Sequence, residues 1–383
     1  MTRVVVAGLG DTGVLTAIKL ARHAQVTGIS SKPGLVSGQE LGWRLARPQE
    51  WARHNWIPFG RFRGLDGVTT VHGTLTGLDL ESRCVLVELA DGSAQQVPYD
   101  ALVIATGVRN GFWRTPALQG ADEIDADLRD PHDRLAAARS VIVVGGGAAA
   151  VSSAAQIATT WPGTRVDLYY PGERALVGHH PRTWKTVQRR LIDAGVGLHP
   201  GHRADLGPGF TPAALTSEPV HWNTGQPPAT ADAVLWAIGR VAPNTGWLPA
   251  EVLDENGFVR VTPTLQVPGH PEVFAIGDVA ATDPLRSSAR NRADGLLARN
   301  VQAFFDGGTL KAYRAPTRRW GSVLGIQPDG LEVFAPNGRA FRFPAWSFER
   351  VLMPWIVARG IYRGIRPAVT PMPNDDRAAR YEG

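Results

Sequence analysis

The sequence predicts an α/β fold: two βαβ units of one design, further strands that complete their sheets, and a small α+β region at the C-terminal end. Three observations carry this expectation. Residues 4–13 read VVVAGLGDTG, a β-branched run that meets Gly8, Gly10 and Gly13. Residues 141–154 read VIVVGGGAAAVSSA and repeat the device from Gly145, with Ala150 where a third glycine would stand. Three more apolar runs, YDALVIATG, DAVLWAIGR and VFAIGD, also lead into a glycine.

Taken in order, Val4–Ala7 reads as a buried strand, and Gly8 to Gly13 as the turn into a helix. On that helix Val14, Ala17, Ile18 and Ala21 recur at helical spacing, and Ala24–Ser30 supplies the second strand. This is the Rossmann-like unit, in which glycines permit a tight turn and close backbone approach to a pyrophosphate at the helix N-terminus. Gly67–Val97 follows with alternating stretches around an Asp91–Gly92 hairpin turn, Cys84 sitting in the alternation as a packed strand thiol. Tyr99–Gly107 is a further buried strand.

In the second unit Ser140–Val144 is the strand, Gly145–Gly147 the turn, Ala148–Thr160 a helix of small residues and Thr164–Tyr170 the next strand. Alanine is an accepted substitute for the third glycine. Asp232–Arg240 and Val273–Asp278 are expected as strands and Ser287–Phe305 as a helix. From Tyr313 the chain changes to short strands around Pro-Asp-Gly and Pro-Asn-Gly turns. In residues 346–363, Phe348, Val351, Leu352, Trp355 and Ile356 share one helical face, although Pro354 argues against an unbroken helix. That face either packs on the rest of the protein or touches a membrane, with Arg350, Arg359, Arg363 and Arg366 near anionic lipid.

Composition bounds the function classes. The 383 residues are 43% hydrophobic and 20% charged, ordinary for a globular protein, and suffice for two or three domains. Cys84 is the single cysteine, so no intramolecular disulfide or redox dithiol can form. No apolar stretch is long enough to span a bilayer, and glycine arrives too early for a signal peptide. A cytoplasmic location, or the inner face of a membrane, is expected. The net charge is +5, and residues 310–366 hold ten Lys and Arg against Asp329, Glu332 and Glu349. That basic region suits an anionic surface or an acidic partner. No recognised module turns it toward nucleic acid, and no residue is assigned to a metal.

The order GxGxxG from Gly8, ATG at Ala105–Gly107, GGGxxA at Gly145–Ala150, AIG at Ala237–Gly239 and AIGD at Ala275–Asp278 covers nearly the whole chain. It resembles the pyridine nucleotide–disulfide oxidoreductase superfamily, flavoproteins with two dinucleotide-binding domains. The stretches TPTLQVPGHPEVFAIGDVAAT and WGSVLGIQPDG are most similar to type II NADH dehydrogenases and to apoptosis-inducing-factor-like, ferroptosis-suppressor-type quinone reductases. The resemblance implies non-covalent FAD in the first cradle and NAD(P)H as substrate in the second, with the chemistry borne by the flavin. For FAD it implies Gly8, Gly10, Gly13, Ser30, Lys32, Leu75, Ala105, Thr106, Gly107, Gly277 and Asp278. For NAD(P) it implies Gly145, Gly147, Ala150, Tyr170 and Gly239. The implied domains are residues 1–112 and 245–312 for FAD, 113–244 for NAD(P) and 313–367 as the C-terminal region, with a disordered tail over 368–383.

The chain departs from that pattern in four places. Ser30 and Tyr170 are neutral where an acid usually binds a ribose hydroxyl; with Arg174 close to Tyr170, NADH and NADPH both stay open. Ser152 replaces a glutamate that lies near the nicotinamide in relatives. The stretch SSARNRADG brings Arg290 and Arg292, which either stabilise a reduced flavin or are surface residues. The leading expectation is an FAD-dependent NAD(P)H oxidoreductase passing electrons to a quinone-like acceptor without a redox disulfide. The alternatives are ferredoxin- or rubredoxin-reductase-like transfer to a small redox protein, and a nucleotide sensor with vestigial turnover.

Overall fold

A computed structural model describes residues 2–368 except 208–209, 211–213, 240, 283–292, 316 and 319. Arg290, Arg292, the first part of the helix expected over Ser287–Phe305 and almost all of the tail expected over 368–383 lie outside the described residues.

The chain opens with β1 (Arg3–Ala7), α1 (Asp11–Leu20) and β2 (Gln25–Ser30), the first βαβ unit. A short antiparallel pair, β3 (Gly34–Val36) and β4 (Trp56–Pro58), brackets α2 (Leu41–Ala46) and α3 (Pro48–Asn55). Then come β5 (Val68–Asp79), β6 (Cys84–Leu89), β7 (Ala94–Pro98), β8 (Ala101–Ile104) and β9 (Val108–Arg109). The second unit follows α4 (Ala121–Ala137): β10 (Ser140–Val144), α5 (Ala148–Thr160), β11 (Arg165–Tyr169), α6 (Pro181–Asp193), β12 (Gly197–His199) and β13 (Ala233–Trp236). The chain returns through β14 (Ala242–Pro243) to β15 (Gln266–Val267), β16 (His270–Ala275) and α7 (Ala293–Phe305), and ends in β17 (Gly321–Gln327), β18 (Gly330–Phe334) and β19 (Ala340–Phe343).

The first sheet has the order β15-β16-β8-β1-β2-β5-β6-β7. Its centre, from β16 to β5, is parallel, and β6 and β7 extend it as antiparallel hairpin strands. The second sheet, β12-β11-β10-β13, is parallel throughout. The β-branched runs read from the sequence are buried on both faces, as central parallel strands must be. Val4 and Val6 pack with α1 and α7, whereas Val5 and Ala7 pack with Leu102, Ile104 and Val273 on the other face. The outgoing β9 and the returning β14 pair antiparallel, so the two passages between the sheets are tied to each other.

Glycine is demanded by space at the first turn. A Cβ on Gly13 would lie 1.8 Å from the Gly8 carbonyl oxygen, and one on Gly8, whose φ is +100°, would lie 2.6 Å from the Ala105 carbonyl oxygen. The second turn is less tight at its third position, where the fully buried Ala150 fits.

The C-terminal segment differs from its sequence reading. Phe348–Ile361 winds as a π-helix, with the Tyr362 N–H reaching back five residues to the Val357 carbonyl. The covered positions recur accordingly at four to five residues: Phe348 is buried, and Leu352, Met353, Val357, Ala358 and Tyr362 are half-buried. The face drawn at α-helical spacing therefore splits. Phe348 and Leu352 pack with Trp43, Trp51 and Leu128, while Val351, Trp355 and Ile356 are exposed.

The steric difference between the two turns is measurable. Gly13→Ala should destabilise the protein by about 1–3 kcal/mol, the usual cost of overpacking. Ala150→Gly should cost about 1 kcal/mol or less through helix propensity. Urea denaturation of both variants checks this, and equal losses would show that Gly13 is not sterically required.

Candidate active site: one cleft facing both cradles

The loops at the carboxyl ends of the first sheet's parallel strands enclose a cleft of about 850 Å³. Gly8, Gly10, Ser30, Lys32, Leu75, Ala105, Thr106, Gly107, Gly277 and Asp278 all line it, while Gly13 lies beneath, against the Gly8 carbonyl. The opposite wall comes from Ala148, Ala149 and Ser152 on α5, and from Trp320, Ser322 and Val323. The first turn of α5 thus reaches the cleft, although Gly145, Gly147, Ala150, Tyr170 and Gly239 do not line it.

Whether the turns suit a dinucleotide can be tested on the second glycine of each. A Cβ on Gly10 or on Gly147 would meet nothing within 4 Å, and both have ordinary extended backbone, φ −77° and −88°. Neither packing nor conformation asks for glycine there, so the open space fits a group lying directly over the turn. Both residues are also helix N-caps without a side-chain cap, which leaves the first backbone N–H groups of α1 and α5 as donors for a phosphate.

A polar strap that no motif announced crosses the floor of the cleft. Asp11, in the first turn of α1, accepts from the Ser37 hydroxyl at 2.8 Å and the Gly38 N–H at 3.1 Å. Arg114 donates to the Gly38 carbonyl at 3.2 and 3.0 Å, and to Asp278 at 3.1 Å. Arg114 follows the ATG turn by seven residues and precedes Asp278 by 164, so only the fold brings the pair together.

Residues 2–300 match the family model described as pyridine nucleotide-disulphide oxidoreductase. The chain belongs to that family. It is accordingly an FAD-dependent NAD(P)H oxidoreductase. It is 27% identical to the oxidoreductase ptaL of Pestalotiopsis fici over 92% of this chain and 95% of that one. It is 25% identical to ferroptosis suppressor protein 1 of Xenopus tropicalis, over 82% and 83%. With the type II NADH:quinone oxidoreductase Ndh of Mycobacterium tuberculosis it shares 27% identity, over 60% of this chain and 56% of that one. The solved water-forming NADH oxidase of Lactobacillus brevis has the same fold, with a TM-score of 0.62 at 17% identity over 92% of this chain and 78% of that one.

Within this family member the cleft wall carries desolvated cations. Burial pulls Lys32 down to about 8 against the opposing pull of Asp127 and Glu123, and its ammonium donates to the Ala117 carbonyl. Arg44 is 5% exposed, is held down to about 10 by burial, donates to the Trp113 carbonyl at 2.9 Å and lies over the Trp51 ring. The Ser30 oxygen accepts from the Lys32 N–H, leaving its own proton free to donate. Thr106 and Asn244 exchange hydrogen bonds with each other's backbone and fix the ATG turn to the returning strand.

One expectation needs correction. The Tyr170 side chain does not face a ligand: it is 1% exposed and packs edge-on against Trp184 in the core of the second sheet. The strand residue before it, Tyr169, points to the other side and stacks on His199 and Trp222. Cys84 lies buried in β6, away from the cleft, and burial pushes its thiol up. Ser152 donates to the Ala149 carbonyl, and its own carbonyl would lie 2.4 Å from a Cβ on Gly42, so α2 rests directly on α5.

Lys32 gives the cleft a testable pH dependence. Its lowered value means the apoprotein carries the charge below about pH 8 and loses it above. A bound pyrophosphate favours the charged form, so FAD affinity should fall as pH rises from 7 to 9. Lys32→Gln should bind FAD more weakly at pH 7 and lose that slope. Fluorescence titration of apoprotein checks it; an unchanged slope in the variant would mean another group titrates.

Proposed function

We propose that the protein takes a hydride from NAD(P)H held at the second cradle and delivers electrons to a quinone-like small molecule, with no disulfide in the path. The reading rests on one observation: a single cleft joins the FAD-side turns to the start of α5. When bound, FAD accepts the hydride and passes the electrons on. The chain's residues then have distinct tasks. Gly8, Gly10 and the α1 N-terminus would receive the pyrophosphate, with Lys32 and Arg44 offsetting its charge. Ser30 and Leu75 would lie at the adenosine end, and Asp278, oriented by Arg114, at the ribityl chain. Gly145 and Gly147 would receive the nicotinamide nucleotide, placing its reactive end near Ala148–Ser152. The quinone class is supported by the name of the mycobacterial relative and by the single cysteine lying away from the cleft.

The C-terminal region favours a second element of the proposal, a peripheral membrane contact. Trp346, Val351, Trp355, Ile356 and Ile361 are exposed, and Arg359 lies 5.1 Å from the centre of the Trp355 ring. Aromatic side chains mixed with arginine suit the headgroup level of an anionic bilayer, where a quinone dissolves. No helix among the described residues is long and apolar enough to cross a membrane.

Separate variants address the two cradles. Gly10→Trp should purify colourless. Gly147→Trp should stay yellow and bleach with dithionite but not with NADH or NADPH under anaerobic mixing. Normal reduction of the second variant by nicotinamide nucleotide would place hydride entry elsewhere.

Cys84→Ser should keep turnover with a quinone within about twofold, since a lone strand thiol cannot cycle as a dithiol. A selective loss of turnover with flavin content intact would implicate the thiol.

Sedimentation with anionic vesicles should carry the protein down at low salt and release it at high salt, because surface attraction is screened. Protein that remains in the supernatant at low salt removes the membrane contact from the proposal.

A further inference from the structure

The C-terminal segment touches the helix that walls the cleft. Gln39, Glu40, Leu41 and Arg44, at the start of α2 and along it, line the cleft. Trp43 of the same helix is turned the other way: it is 5% exposed and meets the Phe348 ring edge-on at 5.7 Å. Phe348 and Leu352 pack there with Trp43, Trp51 and Leu128. Trp51, on α3, is 0% exposed and does not line the cleft, yet it is bound to two residues that do. Its indole N–H donates to the Gln39 carbonyl at 3.1 Å, and its ring centre lies 5.1 Å from the Arg44 guanidinium carbon.

Both contacts hold something that would not hold itself. Glu40, next to Gln39, has φ +58° and ψ +47°, a left-handed conformation that residues with a side chain rarely adopt, so the entry to α2 needs an outside tie. Arg44 is 5% exposed and donates to the Trp113 carbonyl at 2.9 Å. A guanidinium so desolvated gains from a ring face, an attraction that grows as water is removed. With only six residues, α2 is too short to keep its shape without packing. The Trp51 ring therefore fixes where the Arg44 charge stands, and Phe348 and Leu352 close the far side of the same cluster.

We propose that Trp51 is a positioning residue: it holds Arg44 toward the cofactor cleft, and the seating of Phe348 on its cluster keeps it in place, so that retention of FAD depends on the C-terminal segment. The inference rests on Arg44 offsetting the pyrophosphate charge, as proposed above. The test is the rate at which diluted holoprotein loses FAD, read by the fluorescence of the freed flavin. W51L should lose FAD about tenfold faster than the unaltered protein, the scale of a desolvated cation–ring contact, and R44Q at least as fast. The double variant R44Q/W51L should be no faster than R44Q, because Trp51 acts through Arg44. W51F, which keeps a ring under the guanidinium, should return to within about threefold of the unaltered protein. F348A should also speed the loss, and its effect should vanish in the R44Q background, which tests the route independently of W51L. Additive effects in either double variant overturn the proposal while leaving the role of the Arg44 charge standing, and so does W51F that loses FAD as fast as W51L. Normal retention of FAD by R44Q overturns the charge role of Arg44 together with the proposal.

Discussion

Two carbonyl oxygens set the spacing of this molecule. The first glycine of each βαβ turn lies against the backbone of the neighbouring parallel strand's exit: a Cβ on Gly8 would stand 2.6 Å from the Ala105 oxygen, and one on Gly145 would stand 2.1 Å from the Ala237 oxygen. Only a residue without a side chain, and able to adopt positive φ, lets the two strand ends come this close. That closeness puts the ATG turn beside the GxGxxG turn, and the AIG turn beside the GGGxxA turn. It opens a crevice at the carboxyl ends of the strands, the place where doubly wound sheets bind their ligands. The same device used twice explains why the chain repeats its motif, and the exchange of Gly13 for Ala150 lies at the position where the second copy has more room.

The cleft so formed is electrically balanced by residues far apart in sequence. Asp11, in the first turn of α1, accepts from Ser37 and Gly38. Arg114 ties that same segment to Asp278. Lys32 and Arg44 remain as desolvated cations on the wall, each with a lowered pKa because burial penalises the charge more than Asp127, and for Lys32 also Glu123, offsets it. A dianionic ligand relieves that penalty, which is why these groups are informative about what the cleft holds.

The C-terminal region is joined to both units by backbone-directed hydrogen bonds. Gln156 on α5 donates to the Leu324 and Ile326 carbonyls, and Arg47 bridges Gln156 and Ile326. This stitching holds Trp320–Val323 over the cleft while leaving the outer face of Phe348–Ile361 exposed.

The sequence by itself determined the two βαβ units, their order and the turns at Gly8, Gly145, Asp91–Gly92 and Gly330, because those features are local. β-branched runs, glycines at fixed offsets and turn dipeptides act within a few residues of themselves. It also determined most of the cleft lining contributed by the first unit, since the motif residues sit at strand ends that the fold class already places together. Only the tertiary structure decided the rest. Arg114 meets Asp278, and Gly42 rests on Ser152, across separations that carry no periodic signal. Tyr170 turns inward because Trp184 of α6 offers it a packing partner, and a neutral ring gains more from burial than from a wet cleft edge. The winding of Phe348–Ile361 follows from contacts with Trp43, Trp51 and Leu128, which cover one position in four or five. A pattern drawn at 3.6 residues could not anticipate this, because the packing surface, rather than the segment's own spacing, sets the period.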